Sequence, residues 1–212
     1  MFVMTIDQRA SRRRGDQVDR LLGWAGARLS AGAPGIVRGI ERTVGDEVQV
    51  VLNDSAAVVD TALRVLRLSG WSVGIGIGPV DLPLPAETRA GSGIAFLHAR
   101  DAVERAKSRA RPAPLAVSTT VPELADDCES VLTLLATVIS RRTPAGWAVI
   151  DELHRVDVPT TQDAVAGRLG ITQQAVSQRL RAAAWAEELA VRPTLARLLD
   201  AADESAHATG RH

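Results

Sequence analysis

The chain has no tyrosine, two phenylalanines and a single cysteine, Cys128. A lone cysteine excludes an intramolecular disulfide and any zinc site built on cysteine. Aromatic residues make up 3% of the sequence. A core must therefore come from alanine, valine, leucine and isoleucine, with Trp24, Trp71, Trp147 and Trp185 as larger anchors. No run of about 18 uncharged apolar residues occurs, so no membrane span is expected. A secretory leader is not expected either, because Asp7 and the arginines at 12–14 interrupt the apolar start. These absences point to a cytoplasmic protein. Charge of one sign is missing too: 25 basic residues face 25 acidic ones. Lysine is nearly absent, Lys107 being the only one. Beside abundant alanine, that preference for arginine reads as coding bias.

What is present is a hydrophobic fraction of 46% over 212 residues, enough for one or two domains. The most informative stretch is 160–185, TTQDAVAGRLGITQQAVSQRLRAAAW. Val165, Leu169, Ile171, Val176 and Leu180 carry helical apolar spacing, and Ala166 is small where two helices cross. Gly170 fits a turn that needs positive φ. Thr160 and Thr172 are placed to cap the two helices. The pattern is a helix-turn-helix. Its second helix buries Val176 and Leu180 one turn apart and turns Thr172, Gln173, Gln174, Ser177, Gln178 and Arg181 outward. Those side-chain types pair with base edges and phosphates in a major groove, so double-stranded DNA is the expected partner. Residues 164–186 contain Arg168, Arg179 and Arg181 and no acid. Residues 121–212 as a whole carry 9 basic and 13 acidic residues. Weak binding by one copy, raised by a homodimer on two half-sites, suits that balance.

Periodicity orders the rest. Strands are expected at 2–6, 36–43, 47–53, 71–78 and 115–118, with a tight turn at Val44-Gly45-Asp46. Helices are expected at 16–29, at 55–68 with Ser55 as cap, and at 94–109. Residues 81–93 form a loop rich in proline and glycine. The sequence from 122 onward is helical: 122–142, 145–155, the two motif helices and 192–202. No strand pair follows the recognition helix, so no wing is expected. The fold class is α+β, with a ferredoxin-like domain over 1–120, an all-α helix-turn-helix domain over 121–205 and a disordered tail at 206–212. The broad apolar face of 122–142 (Leu124, Val131, Leu134, Leu135, Val138, Ile139) serves either the helical core or a dimer interface.

Other candidates are bland. Gly74–Gly78 leads to Pro79 rather than to a helix, so it is no phosphate loop, and its glycines suit close backbone packing. His98 and His154 lack metal-ligating neighbours in sequence. The run Arg12–Arg14 is a solvated face unless it meets phosphate.

Four motifs together resemble the SatD-like family. They are Asp7-x-x-x-Ser11-Arg12, Gly45-Asp46-Glu47-Val48-Gln49, Gly74-Ile75-Gly76-Ile77-Gly78 and Ala95-Phe96-x-x-Ala99-Arg100. Such proteins join a domain related to class III nucleotidyl cyclases and GGDEF domains to a C-terminal helix-turn-helix. The resemblance spans nearly the whole chain. It implies a DNA-binding transcriptional regulator with a nucleotidyl-cyclase-like sensor or dimerisation domain. Carried over by residue, it places a Mg²⁺ or nucleotide site on Asp7 and Asp46, with Glu47, Ser11 and Arg12 beside them. Departures at Gln8, Val48 and Ser92 argue against catalysis. An enzyme acting on nucleotides through Asp7 and Asp46, and an assembly scaffold that does not bind DNA, are the alternative functions.

Overall fold

Strand alternation decides how this sheet is covered. In the computed structural model, which describes residues 1–155 and 158–209, β1 (Phe2–Gln8) is the central strand. It pairs antiparallel with β3 (Glu47–Leu52) on one side and with β4 (Trp71–Ile77) on the other. β2 (Ile36–Arg42) extends the sheet beyond β3, and β5 (Leu115–Ser118) runs parallel to β4 at the far edge. The order is β2-β3-β1-β4-β5. Met4 faces Val50 on one side and Ile75 on the other. This register puts Phe2, Met4 and Ile6 on one face and Val3, Thr5 and Asp7 on the opposite face.

The first face carries the main core. Phe2, Met4, Ile6, Val48, Val50, Val73 and Ile75 pack against apolar residues of α2 (Val18–Ala25) and α3 (Ser55–Leu68). The second face is covered by α4 (Ile94–Ala106), which contributes Ala95, Phe96 and Ala99. Both α3 and α4 connect parallel strands, and both connections step across the sheet in the same direction. Because the two helices lie on opposite faces, the two crossovers have opposite hand, so one has the rare left-handed sense. The second face admits α4 because β4 presents glycine there. A Cβ on Gly76 would stand 2.1 Å from both the Ala95 carbonyl oxygen and the Ala99 nitrogen, and one on Gly74 would stand 2.2 Å from the Val103 nitrogen. Helix backbone thus rests on strand backbone. The alignment also fixes direction: α4 starts over Gly76 and ends near the exit of β1.

The helical remainder comprises α5 (Pro122–Ser140), α6 (Pro144–Leu153), α7 (Gln162–Leu169), α8 (Gln173–Ala182) and α9 (Trp185–Thr209). A four-residue turn of helix, α1 (Ser11–Arg14), follows β1 and was not foreseen. Two boundaries need correction. The tail expected to be disordered from 206 is helical through Thr209, with Ala206 only 1% exposed, while residues 210–212 lie outside the described residues. The apolar face of 122–142 belongs mostly to the chain itself. Leu132, Leu135 and Ile139 join the sheet core, as do Leu195, Leu199 and Ala202 of α9, and only Leu134 of that face is largely exposed. The helices after residue 121 are therefore not separate from the sheet: α5 and the second half of α9 help cover it. Capping differs by one residue in two places. Asp54, not Ser55, accepts from the α3 backbone, and Thr161, not Thr160, caps α7. Burial pushes the Cys128 thiol up to about 12, so it is no nucleophile at neutral pH.

The strand–helix contact yields a direct expectation. Gly76→Ala should destabilise the protein by about 3 kcal/mol or more, because neither neighbouring atom belongs to a side chain that can rotate away. Gly167→Ala, where nothing lies within 4 Å of the new Cβ, should leave stability unchanged or raise it. Urea unfolding followed by circular dichroism measures both.

Candidate nucleic-acid interface

Three short helices make a small core of their own. Val149 of α6, Val165 and Ala166 of α7 and Val176 of α8 are buried together, with Leu153, Leu169, Ile171 and Leu180 packed around them. Gly170 adopts φ 63° and ψ 34°, the left-handed conformation that a short helix–helix turn requires. Thr172 accepts a hydrogen bond from the Ala175 nitrogen at 3.1 Å and starts α8. α8 is followed directly by α9, and no strand follows β5 among the described residues.

The six residues expected to meet DNA all lie on or at the start of α8. Thr172, Gln173, Gln174, Gln178 and Arg181 are exposed, and Ser177 is half-buried. Gln173 donates to Gln162 Oε1 at 3.2 Å and Arg181 donates to Ser177 Oγ at 3.1 Å. Gln174, Gln178 and the Arg179 guanidinium have no side-chain partner among the described residues. Arg168 does not belong to this face. Its guanidinium holds Glu152 and the Pro159 carbonyl, tying α7 to the end of α6.

The position of α8 is set from below. Arg142, just past the end of α5, donates through Nε to the Ala183 carbonyl at 2.7 Å and through Nη2 to the Ala184 carbonyl at 3.4 Å. The Ala183 carbonyl lies just past the C-terminal end of α8, where the helix itself supplies no donors, and the Ala184 carbonyl also accepts from the Glu188 nitrogen at the start of α9. Arg142 Nη2 also lies 2.6 Å from Glu188 Oε2, and both side chains are 1% exposed. That contact lacks hydrogen-bond alignment, since Glu188 Oε2 and Arg142 Nη1 have no hydrogen-bond partner. Glu188 Oε1 accepts from Arg192, Arg192 reaches Asp60 Oδ1 on α3 at 3.1 Å, and Asp60 Oδ2 accepts from Arg64. Burial acts to raise the Asp60 pKa, but Arg64 and Arg192 outweigh it and hold the carboxyl below its ordinary value. Trp147 and Trp185 wall the chain, with Arg142 over both rings and Arg67 over Trp147 at 3.9 Å. Sequence reading did not single out Arg142, Glu188, Arg192 or Asp60. Their separations along the chain leave no local pattern to read.

The carboxylates expected to hold Mg²⁺ or a nucleotide are neighbours but do not form a cation cage. Asp7 pairs in register with Glu47 across β1 and β3, and Asp46 precedes Glu47 in the turn. Glu47 Oε1 accepts from Thr43 Oγ1 at 2.6 Å. Asp7 Oδ2 is instead 3.0 Å from Lys107 Nζ, at the end of α4. Burial raises the Asp7 pKa, against the opposing charge of Lys107 and with the help of Asp46 and Glu47. Burial would lower Lys107, but its bonds to Glu104 and Asp7 outweigh that and hold it above its ordinary value. No group of three acidic or histidine side chains among the described residues could hold a metal. A Mg²⁺ ion at about 2.1 Å from Asp7 would meet the lysine ammonium at once, so these residues do not fit a resident divalent cation. Ser11 is half-buried at the start of α1, and the Arg12 side chain lies outside the described residues. Gln8 braces this region: it donates to the Gly15 carbonyl at 2.7 Å and accepts from the Gln17 nitrogen at 2.8 Å.

Comparison with protein-family models, curated proteins and solved structures finds no match to the chain.

The buried pair gives a stability test. Glu188→Leu alone should cost about 3–5 kcal/mol, because it leaves the Arg142 charge buried without its counter-ion. Adding Arg142→Met should recover part of that loss, less the hydrogen bonds to Ala183 and Ala184. Denaturant unfolding of the two single variants and the double variant reads the coupling.

Proposed function

We propose that the chain is a sequence-specific double-stranded DNA-binding protein, acting as a transcriptional regulator. In this reading α8 enters the major groove and the sheet half serves as a sensor or dimerisation domain. The observation that carries the reading is the outer face of α8: it presents Gln174 and Gln178 exposed and without a side-chain partner among the described residues, on a helix whose opposite face buries Val176 and packs Leu180 against α6 and α7. A scaffold reading is less well supported. Among the described residues the exposed large apolar side chains are Val44, Leu68, Leu82, Leu97, Leu134 and Leu189, and none of these lies in the helix-turn-helix. A protein partner for that surface would want an apolar centre. A metal-dependent nucleotide enzyme is disfavoured by Lys107 standing over Asp7.

The order of the first four strands, β2-β3-β1-β4 with every neighbour antiparallel, supports a ferredoxin-like arrangement and is compatible with the cyclase-like resemblance. With most of the α5 face spent inside the chain, the argument for a homodimer comes from DNA alone. The outer face of α8 offers Arg179 and Arg181, far fewer cations than the 6–10 phosphate contacts common in tight complexes. Two copies on half-sites about 34 Å apart double the contacts without new chemistry.

Gln174→Ala, Gln178→Ala and Arg181→Ala should each weaken binding to the preferred site by about 1–3 kcal/mol. Arg179→Ala should weaken binding on every sequence alike and lower the salt slope by about 1. Fluorescence anisotropy on a site selected from random duplexes measures both effects. Variants that bind that site as the wild type does would remove α8 from the interface. Light scattering of the complex should report two chains per duplex.

A further inference from the structure

At the end of the sheet opposite Asp7, a bowl of about 520 Å³ opens between α2, the 28–36 segment and α3. Ile36, on its wall, pairs with Leu52, and Leu52 pairs with Phe2, so this is the end where β1 begins. That volume lies within the range of small-molecule sites. The sequence leaves the bowl open by composition. Ala25, Ala33, Ala56 and Ala57 line it where longer side chains would fill it, and Trp24 and Leu29 complete its apolar wall. Gly35 presses the loop onto α3: at φ 77°, a Cβ there would stand 2.8 Å from the Cβ atoms of Asp54 and Ala57.

The polar residues lining the bowl are Arg28, Asp60, Thr61 and Arg64. Asp60 is already committed, since its two oxygens accept from Arg64 Nε at 2.5 Å and from Arg192 at 3.1 Å. Arg64 spends only Nε on that bond, and its Nη1 and Nη2 make no hydrogen bond among the described residues. Arg28 is exposed and has no acidic partner among the described residues. A second observation comes from Thr61. It is 3% exposed, and its hydroxyl makes no hydrogen bond among the described residues. A hydroxyl so deeply placed is nearly always satisfied, so this one offers a donor to whatever fills the bowl. A carboxylate supplies the acceptor, and its two oxygens match the free fork of Arg64. Asp60 stays charged beside that fork and repels an anion of higher charge. The remaining wall offers carbon, so the body of the ligand is apolar.

We propose that this bowl binds a small apolar monocarboxylate. Its head lies on Arg64 and Thr61, with Arg28 adding charge at the rim, and its hydrocarbon body lies against Trp24 and Leu29. The site goes beyond the DNA-binding reading and does not depend on it, because none of its residues is on α8.

Octanoate, 1-octanol and octylamine share one chain length and differ in the charge of the head. The test is calorimetric titration of each into the full chain. Octanoate should bind saturably, one per chain, and raise the melting temperature. Octanol should bind about tenfold more weakly, and octylamine more weakly still. Arg64→Met should abolish the preference for the acid and keep the affinity for the alcohol. Arg28→Ala should reduce that preference. Ala56→Leu, at an exposed position, should fill the bowl and weaken acid and alcohol alike without lowering the melting temperature. Melts of the unliganded variants separate lost binding from lost folding; if Arg64→Met does not fold, Arg28→Ala and Ala56→Leu decide. The proposal is overturned if octanoate does not bind, if octanol binds as tightly, if the preference survives Arg64→Met, or if Arg28→Ala and Ala56→Leu both bind as the wild type does. A dimer dissolved by Ala56→Leu, with no octanoate bound, would also overturn it and assign the bowl to a second copy of the chain.

Discussion

The buried contact between Arg142 and Glu188 is the constraint on which the rest of the helical region depends. Both side chains are 1% exposed, so each needs the other to offset the cost of leaving water. Arg142 donates through Nε and Nη2 to the carbonyls of Ala183 and Ala184. One side chain thus ties the end of α5, the end of α8 and the start of α9 at a single point. Through Arg192 the pair continues to Asp60 and Arg64 on α3. α8 is therefore linked to the sheet half by a chain of hydrogen bonds and ion pairs. That continuity explains why α5 and α9 share the sheet's core instead of forming a separate domain. It also gives events on α3 a physical path to α8.

The opposite face of the sheet depends on a different device. Gly74 and Gly76 remove side chains where α4 crosses, and the helix settles directly on the strand. Close approach leaves little freedom in where α4 ends. Its last turn arrives over β1's exit, and Lys107 falls within 3.0 Å of Asp7. The glycine pair and the lysine are thirty residues apart in sequence, yet the first sets the place of the second. The glycines that suit close backbone packing thereby also bring the end of α4, and Lys107 with it, to Asp7.

Much of the fold was legible because its signals are local. All five strands were placed within two residues, since apolar runs bounded by Gly45, Asn53 and Pro79 leave few choices. The helix-turn-helix was legible for the same reason: Gly170, Thr172 and the buried Val165 and Val176 lie close together. What failed was non-local. The face of α5 could be seen but its occupant could not, because Leu195 and Leu199 lie some sixty residues on. A disordered tail was expected from 206, yet Ala202 and Ala206 are buried on α9. At the candidate site, Asp7 was found and its partner was missed. Lys107 was in plain view as the only lysine, but scarcity read as coding bias hides a single residue with a particular place.

That residue bears on how function can be read in a neutral protein. A net charge of zero discourages any expectation of binding polyanions. Net charge does not tell where single cations stand. Arg42, Arg64, Arg67, Arg111, Arg142, Arg168 and Arg192 are engaged in ion pairs, so they contribute little field outside the molecule. Others, among them Arg9, Arg13, Arg20, Arg28, Arg100, Arg109, Arg141, Arg179 and Arg181, have no acidic partner among the described residues. In the DNA-binding reading proposed above, what counts is the place of single cations such as Arg179 and Arg181 on α8, rather than the total charge.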